Sequence, residues 1–297
     1  MTDAVVSLNS GIAKLYEDVP DAQREQFRQY RENHPPQRVM VEGVAWEYIV
    51  AGQGDETLVL LPGALGTPDI SWDLVMCLAE RRRVVAPSYA PMMTMDALVD
   101  GIAGVLERVG IDRAHVVGGS YGGFVGQAFV RRHPDVTRSL VLSHTQPPDP
   151  AGAEQVKKVV RWLSLLPAGM LRWLLGRSLR KLMPEKTPET ALSHAIFEEA
   201  LRYRLTKADL LSRSRCAIDF SFSDYTPQDL ADWPGRILLL MSDSDPSTPE
   251  PVRAAMQALY PQAEVHLFHG TGHASSLLKR DEFLAALEGF LRTLPES

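Results

Sequence analysis

The feature that most constrains this chain is the segment His115-Val116-Val117-Gly118-Gly119-Ser120-Tyr121-Gly122-Gly123. A β-branched apolar run ends directly before Gly118, and a helical pattern begins directly after Ser120. The chain must therefore turn sharply from strand to helix with a serine at the apex. Glycines two before and two after that serine remove Cβ atoms that would clash in so tight a turn. The hydroxyl then stands at the carboxyl end of a sheet, facing a helix N-terminus that favours developing negative charge. A glycine-rich phosphate-binding turn is the competing reading. No G-x-G-x-x-G or G-x-x-x-x-G-K-[ST] accompanies it, so the nucleophilic reading of Ser120 is preferred.

A strand-turn-helix unit of this kind needs a sheet, and the hydrophobic runs supply one. Arg38–Glu42 and Ala45–Ala51 alternate, with Gly43 and Val44 as the turn, and predict an antiparallel meander at a sheet edge. Six short, almost wholly apolar runs follow: Thr57–Leu61, Arg83–Ala86, Ala114–Val117, Ser139–Leu142, Arg236–Met241 and Glu264–Phe268. Strands buried on both faces of a parallel sheet read this way. Helical patterns lie at Ser71–Glu80, Met95–Val109, Tyr121–His133, Pro249–Tyr260 and Asp281–Leu294. The expected fold class is α/β: a mostly parallel eight-stranded sheet flanked by helices. Residues 1–37 predict a helical extension, with Asp21–Asn33 polar and exposed.

The alternation breaks over residues 147–233, which are helical in pattern and bounded by Pro147, Pro148 and Pro150 and by Pro234-Gly235. The expected organisation is a core of residues 38–146 and 234–297, with residues 147–233 inserted after strand 6 as a helical cap. The 297-residue chain has a net charge of −6, yet residues 151–233 hold 13 Lys and Arg against 10 Asp and Glu. Any preference for an anionic group would arise there, at the basic stretch Arg172–Lys186. An acidic whole offers no general attraction to nucleic acid. Two cysteines, Cys77 and Cys216, are too few for a secreted disulfide framework. The first residues carry Asp3 and no apolar signal core, and no run is long enough to span a bilayer. These readings predict a cytoplasmic protein and leave its oligomeric state open.

A serine hydroxyl needs a base, and the base needs an orienting acid. Ser242-Asp243-Ser244-Asp245-Pro246 follows the seventh strand, and His269-Gly270-Thr271-Gly272-His273 follows the eighth. Asp245, beside Pro246 at the loop tip, is preferred as the acid over Asp243. His273, between small neighbours, is preferred as the base. The intervening glycines argue against a helical metal pair of His269 and His273, and no cofactor or metal is implied. Backbone N–H groups must also meet the oxyanion. The candidates are the amides of Tyr121 and of Ala64 in the glycine-bearing loop Leu61–Gly66. Leu65, Trp162, Leu166, Met170 and Trp173 are candidate lining for an acyl pocket.

The strand count, G-x-S-x-G, S-D-S-D-P and G-x-G-H together resemble the α/β-hydrolase superfamily, from about Arg38 to Leu294. The N-terminal helices, Ala64-Leu65-Gly66-Thr67 and Met170-Leu171-Arg172 are similar to maspardin-like proteins, whose members can lack the histidine kept here as His273. Pro62-Gly63 departs from the usual His-Gly of the oxyanion loop, and Ser242 stands where glycine is frequent. The resemblance implies a Ser-Asp-His triad acting on a small acyl substrate. A serine at position 120, rather than a carboxylate, argues against epoxide hydrolase and haloalkane dehalogenase chemistry. Carboxylic ester hydrolysis is the first expectation. A C–C bond hydrolase, thioesterase, peptidase or acyltransferase shares the triad, and a maspardin-like binding protein is the non-enzymatic alternative.

Overall fold

The computed structural model describes residues 10–292. Residues 1–9 of the expected N-terminal extension, and the last two of the expected helix Asp281–Leu294, lie outside them. The eight strands are β1 (Gln37–Val41), β2 (Val44–Ala51), β3 (Thr57–Leu61), β4 (Arg83–Pro87), β5 (Ala114–Gly119), β6 (Thr137–Ser143), β7 (Arg236–Ser242) and β8 (Glu264–Phe268). They form one sheet in the order β1-β2-β4-β3-β5-β6-β7-β8. β2 runs antiparallel to both β1 and β4, and every other neighbouring pair is parallel. The first turn sits one residue earlier than expected. Val41 pairs with Val44, so Glu42 and Gly43 form the turn, both at positive φ (48° and 81°). Two left-handed residues match the twist of a two-residue hairpin.

Alternate residues of the central strands feed two cores. Val59, Leu61, Val116 and Leu239 face one side, where they pack with α3 (Met95–Arg108) and α4 (Tyr121–Arg132). Leu58, Leu60, Val117 and Leu238 face the other, against α1 (Asp21–Asn33), α2 (Trp72–Ala79) and the C-terminal helix. Helices on both faces explain the continuous apolar reading of β3, every residue of which is buried.

Between β6 and β7 the chain forms α5 (Pro150–Leu163), α6 (Ala168–Leu179), α7 (Ala191–Glu199) and α8 (Lys207–Ser221). This insertion has its own small core of Leu171, Phe197, Leu201, Leu205 and Leu210, which Leu65 from the loop after β3 joins. After β7 come α9 (Glu250–Leu259), then β8, the short α10 (Ser275–Leu278) and α11 (Arg280–Arg292).

α1 is polar and mostly exposed, as its composition suggested, but one side of it is docked. Phe27 and Tyr30 are buried, and Arg31 lies 4.3 Å above the Phe27 ring. Arg31 also bridges Asp69, at 2.7 Å, and Glu199, at 3.1 Å. Arg204 meets the same two carboxylates, and Tyr16 donates to Glu199. Burial acts to raise the Glu199 carboxyl, but Arg31, Tyr16 and Arg204 outweigh it and hold it below its ordinary value. The cluster ties the N-terminal helix, the loop after β3 and the insertion together at one point.

Candidate active site

Ser120 takes φ 54° and ψ −123° between β5 and α4, a sparsely populated conformation for a non-glycine residue. Backbone contacts hold it there. Its N–H donates to Ser143 O (2.9 Å), and its carbonyl accepts from Gly123 N (2.9 Å) and Thr145 Oγ1 (2.9 Å). The flanking glycines are sterically required. A Cβ on Gly118 would lie 2.2 Å from Gly122 O, and one on Gly122 would lie 2.3 Å from Leu61 O. At Gly119 the nearest atom would be Ser143 O at 3.6 Å, an ordinary contact. Gly122→Ala should therefore destabilise the fold by about 1–3 kcal/mol, because backbone rather than a rotatable side chain must move. Gly119→Ala should leave stability near wild type. Urea unfolding of the two variants checks the contrast.

Tyr121 opens α4, so its amide is among the N–H groups that a helix start leaves without an intrahelical acceptor. Its ring turns inward, 5.6 Å from Tyr89 and 6.0 Å from Phe124. The facing loop is shaped by Gly66 N–H donating to Gly63 O (2.8 Å). Two bonds from Tyr89 hold it: its N–H to Gly66 O (3.0 Å) and its hydroxyl to Pro62 O (2.8 Å). Ala64 and Ser120 line the same cavity.

Past the ends of β7 and β8, the two candidate acids separate. Asp245 is buried, with Oδ2 2.8 Å from His273 Nδ1. Ser247 donates to Asp245 Oδ1 through its N–H (2.8 Å) and its hydroxyl (2.7 Å), and Thr248 Oγ1 donates to Oδ2 (3.0 Å). Burial acts to raise this carboxyl, yet His273 and Ser247 hold it well below the usual carboxylate range. An ionised carboxylate only accepts, so Nδ1 of His273 carries a proton, and in the neutral ring this leaves the lone pair on Nε2. Asp243 instead pairs with exposed His269, Oδ2 to Nδ1 2.7 Å, and accepts from Gly270 N (2.9 Å).

A cavity of about 240 Å³ brings Ser120 and His273 together with Ala64 and Leu65. The insertion contributes Leu179, Leu182, Met183, Pro184, Ser193 and Phe197 to its wall. The other expected lining residues do not reach it. Trp162 and Trp173 are 73% and 56% exposed, Met170 is exposed and Leu166 is half-buried. Their helical spacing marks a face turned to solvent. The basic stretch Arg172–Lys186 likewise places no cation on the cavity wall: its contribution there is Leu179, Leu182, Met183 and Pro184.

His144, which carries no motif, also lines the cavity. It follows β6 at φ 48°. Its ring stands edge-to-face with His273, centroids 5.6 Å apart. Nδ1 lies 2.7 Å from Ser143 Oγ and Nε2 2.8 Å from Ser275 Oγ. Burial, with the adjacent His273, pushes it down from 6.5 to about 4. Burial does the same to His115, at the other end of the sheet. Both stay neutral in the fold where the unfolded chain would be protonated, so acid favours unfolding. Their contribution is full above pH 6.5 and is lost as pH falls toward 4, by about 3 kcal/mol each. Unfolding free energy measured from pH 7 to 4 should fall accordingly, and His144→Gln should remove part of that slope.

Among the described residues, no group of three or more His, Cys, Asp or Glu is placed to hold a metal ion, and no helix is long and apolar enough to cross a membrane.

Comparison with known proteins sets this geometry in context. A model described as the alpha/beta hydrolase family matches residues 58–287. A 2-hydroxy-6-oxononadienedioate/2-hydroxy-6-oxononatrienedioate hydrolase of Dechloromonas aromatica is 25% identical over 264 residues, covering 82% of this chain and 89% of its own. The crystal structure of the enol-lactonase from Burkholderia xenovorans superposes with a TM-score of 0.71 at 16% identity, over 86% of this chain and 100% of that one. A meta-cleavage product hydrolase from Pseudomonas fluorescens gives a TM-score of 0.67 at 20% identity, over 86% and 97%.

Proposed function

Because the chain belongs to the alpha/beta hydrolase family, we propose that it is a hydrolase that cleaves an acyl compound through an acyl-enzyme on Ser120. The observation that carries this reading is a single arrangement: Ser120 and His273 share one cavity, and His273 Nδ1 is held by the ionised, buried Asp245. In the proposed sequence Nε2 of His273 takes the Ser120 proton, and the oxygen attacks the substrate carbonyl. Asp245 fixes the tautomer and stabilises the imidazolium. The Ala64 and Tyr121 amides meet the oxyanion. His273 then protonates the leaving group, and water resolves the acyl-enzyme. Residues 147–233 act as the cap over this cavity.

The bond favoured for cleavage is a carbon–carbon bond next to a ketone, since the compounds named for the relatives carry a 6-oxo group and no ester. On this reading His273 delivers its proton to carbon. Ester hydrolysis is the second reading, and the largely apolar cavity wall favours it. The named substrate of the relatives is a dicarboxylate, and among the described residues no Lys or Arg lines this cavity. The bond class is therefore carried over without the substrate. The deciding assay offers a β-diketone, whose departing carbon leaves as an enolate that His273 protonates, and an ester of the same neutral acyl group, and follows acid release. Faster turnover of the diketone supports carbon–carbon cleavage; ester turnover alone reverses the order. Failure of a fluorophosphonate to label Ser120 would overturn both.

A further inference from the structure

Among the described residues, the proposed catalytic cavity is lined by one carboxylate and by no Lys or Arg. The insertion presents an apolar wall of Leu179, Leu182, Met183, Pro184 and Phe197, and the core adds Leu61, Leu65, Ile70 and Leu74. Apart from His144 and His273, the titratable side chain on the wall is Asp73, beside the hydroxyl residue Ser71. Asp73 sits in the first turn of α2, directly after the loop that carries Ala64.

The insertion carries two further carboxylates, Glu198 and Glu199, at the end of α7. Both are engaged elsewhere. Glu198 pairs with Arg180 and Arg202 (2.6 Å each), and Glu199 with Arg31 and Arg204. Two cations of the insertion are also committed, and a third, Arg213, has no hydrogen-bond partner at Nε or Nη1 among the described residues but does not line the cavity. Arg172 donates to Leu205 O (3.0 Å), Lys186 pairs with Asp18 (2.8 Å), and buried Arg213 lies against Gly66 behind the loop. The cation that acts on Asp73 is Arg280, at the start of α11. It does not line the cavity, and it is half exposed and faces Asp281. Burial nevertheless dominates and raises the Asp73 carboxyl above its ordinary value. An incoming cation would relieve that penalty, and an incoming carboxylate would add to it.

We propose that Asp73 is the specificity-determining carboxylate of this cavity, and that the substrate is a small acyl compound bearing an ammonium group. Its apolar part packs on the insertion wall, and its ammonium meets Asp73. The cavity, at about 240 Å³, falls just below the ~300–1,000 Å³ range of drug-sized ligand sites, which limits the substrate to a compact one. The proposal rests on the reading of the Ser120 cavity as the active site, and its test separates the two.

Calorimetric titration of the full-length protein uses hexylammonium and hexanoate, probes of equal length and opposite charge. Hexylammonium should bind tighter by about tenfold or more. Asp73→Asn should bring the ratio toward one, and Asp73→Glu, which restores the charge, should retain the preference. Equal or tighter binding of hexanoate, or a ratio unmoved in Asp73→Asn, overturns the proposal. If Asp73→Asn fails to fold, the wild-type ratio and Asp73→Glu still decide. Fluorophosphonate labelling of Ser120 runs in parallel, with each probe as protectant. Charge preference without labelling leaves Asp73 recognition standing and removes the catalytic reading. Labelling without charge preference does the reverse.

Discussion

Ser120→Ala should lower turnover by on the order of 10⁵–10⁶-fold while the protein melts as the wild type does. The size follows from how nucleophile and base act as a unit: without Oγ there is no acyl-enzyme for His273 to serve, so nearly the whole contribution disappears at once. Preservation of the fold follows from what holds position 120. The contacts that fix it run through its N–H to Ser143 O and through its carbonyl to Gly123 N and Thr145 Oγ1, and alanine keeps all three. The positive φ strains alanine about as much as serine, since both carry a Cβ. Melting temperature, turnover and labelling read these effects separately. A variant that melts normally and keeps more than about one hundredth of wild-type turnover would remove Ser120 from the mechanism.

The fold was legible in the chain because its central strands are buried on both faces. β3 and β7 read as apolar runs, and the structure bounds both within one residue of the sequence reading. The sharp turn at Ser120 was equally legible, since Gly118 and Gly122 sit where a Cβ would strike backbone. Such constraints are local and leave a mark in the sequence. Those set by distant packing do not. α1 is polar by composition, but Phe27 and Tyr30 alone suffice to dock it, and Arg31 is drawn inward by Asp69 and Glu199, 38 and 168 residues away.

The same distinction applies within the site. Asp245 and His273 sit beside turn residues just past strand ends, so their pattern could be read. The pocket wall could not. Helical periodicity identifies a shared face without saying whether that face meets the core, the cavity or water. The stripe Trp162, Met170 and Trp173 faces water, and the wall is drawn instead from Leu179, Leu182 and Met183, where α6 ends. His144 and Asp73 follow ordinary strand and loop sequence. Only the closing of the sheet ends and the insertion around one cavity brings them to Ser120.

Asp245→Asn should lower turnover by about 10⁴-fold, whereas Asp243→Asn should change it by less than about twofold. The difference follows from the hydrogen bonds around each acid. The Ser247 N–H on Asp245 Oδ1 cannot reverse, whereas the Thr248 hydroxyl on Oδ2 can turn to accept, so the carbonyl oxygen of an asparagine stays at Oδ1. Its NH₂ group then occupies the place of Oδ2, 2.8 Å from His273 Nδ1, and can only donate. Facing that donor, and with Ser247 Oγ also 3.0 Å from Nδ1 and able to donate, His273 is favoured to present a lone pair on Nδ1, which moves its proton to Nε2. That nitrogen can then no longer take the proton of Ser120. The imidazolium of the reaction also loses its buried counter-charge. Asp243 is half-exposed and pairs with His269, whose side chain is 73% exposed, so its loss disturbs a solvated surface pair and not the cavity. Steady-state kinetics of both variants, with Ser120 labelling rates, measure the contrast. A large loss in Asp243→Asn with a small one in Asp245→Asn would exchange the roles of the two acids.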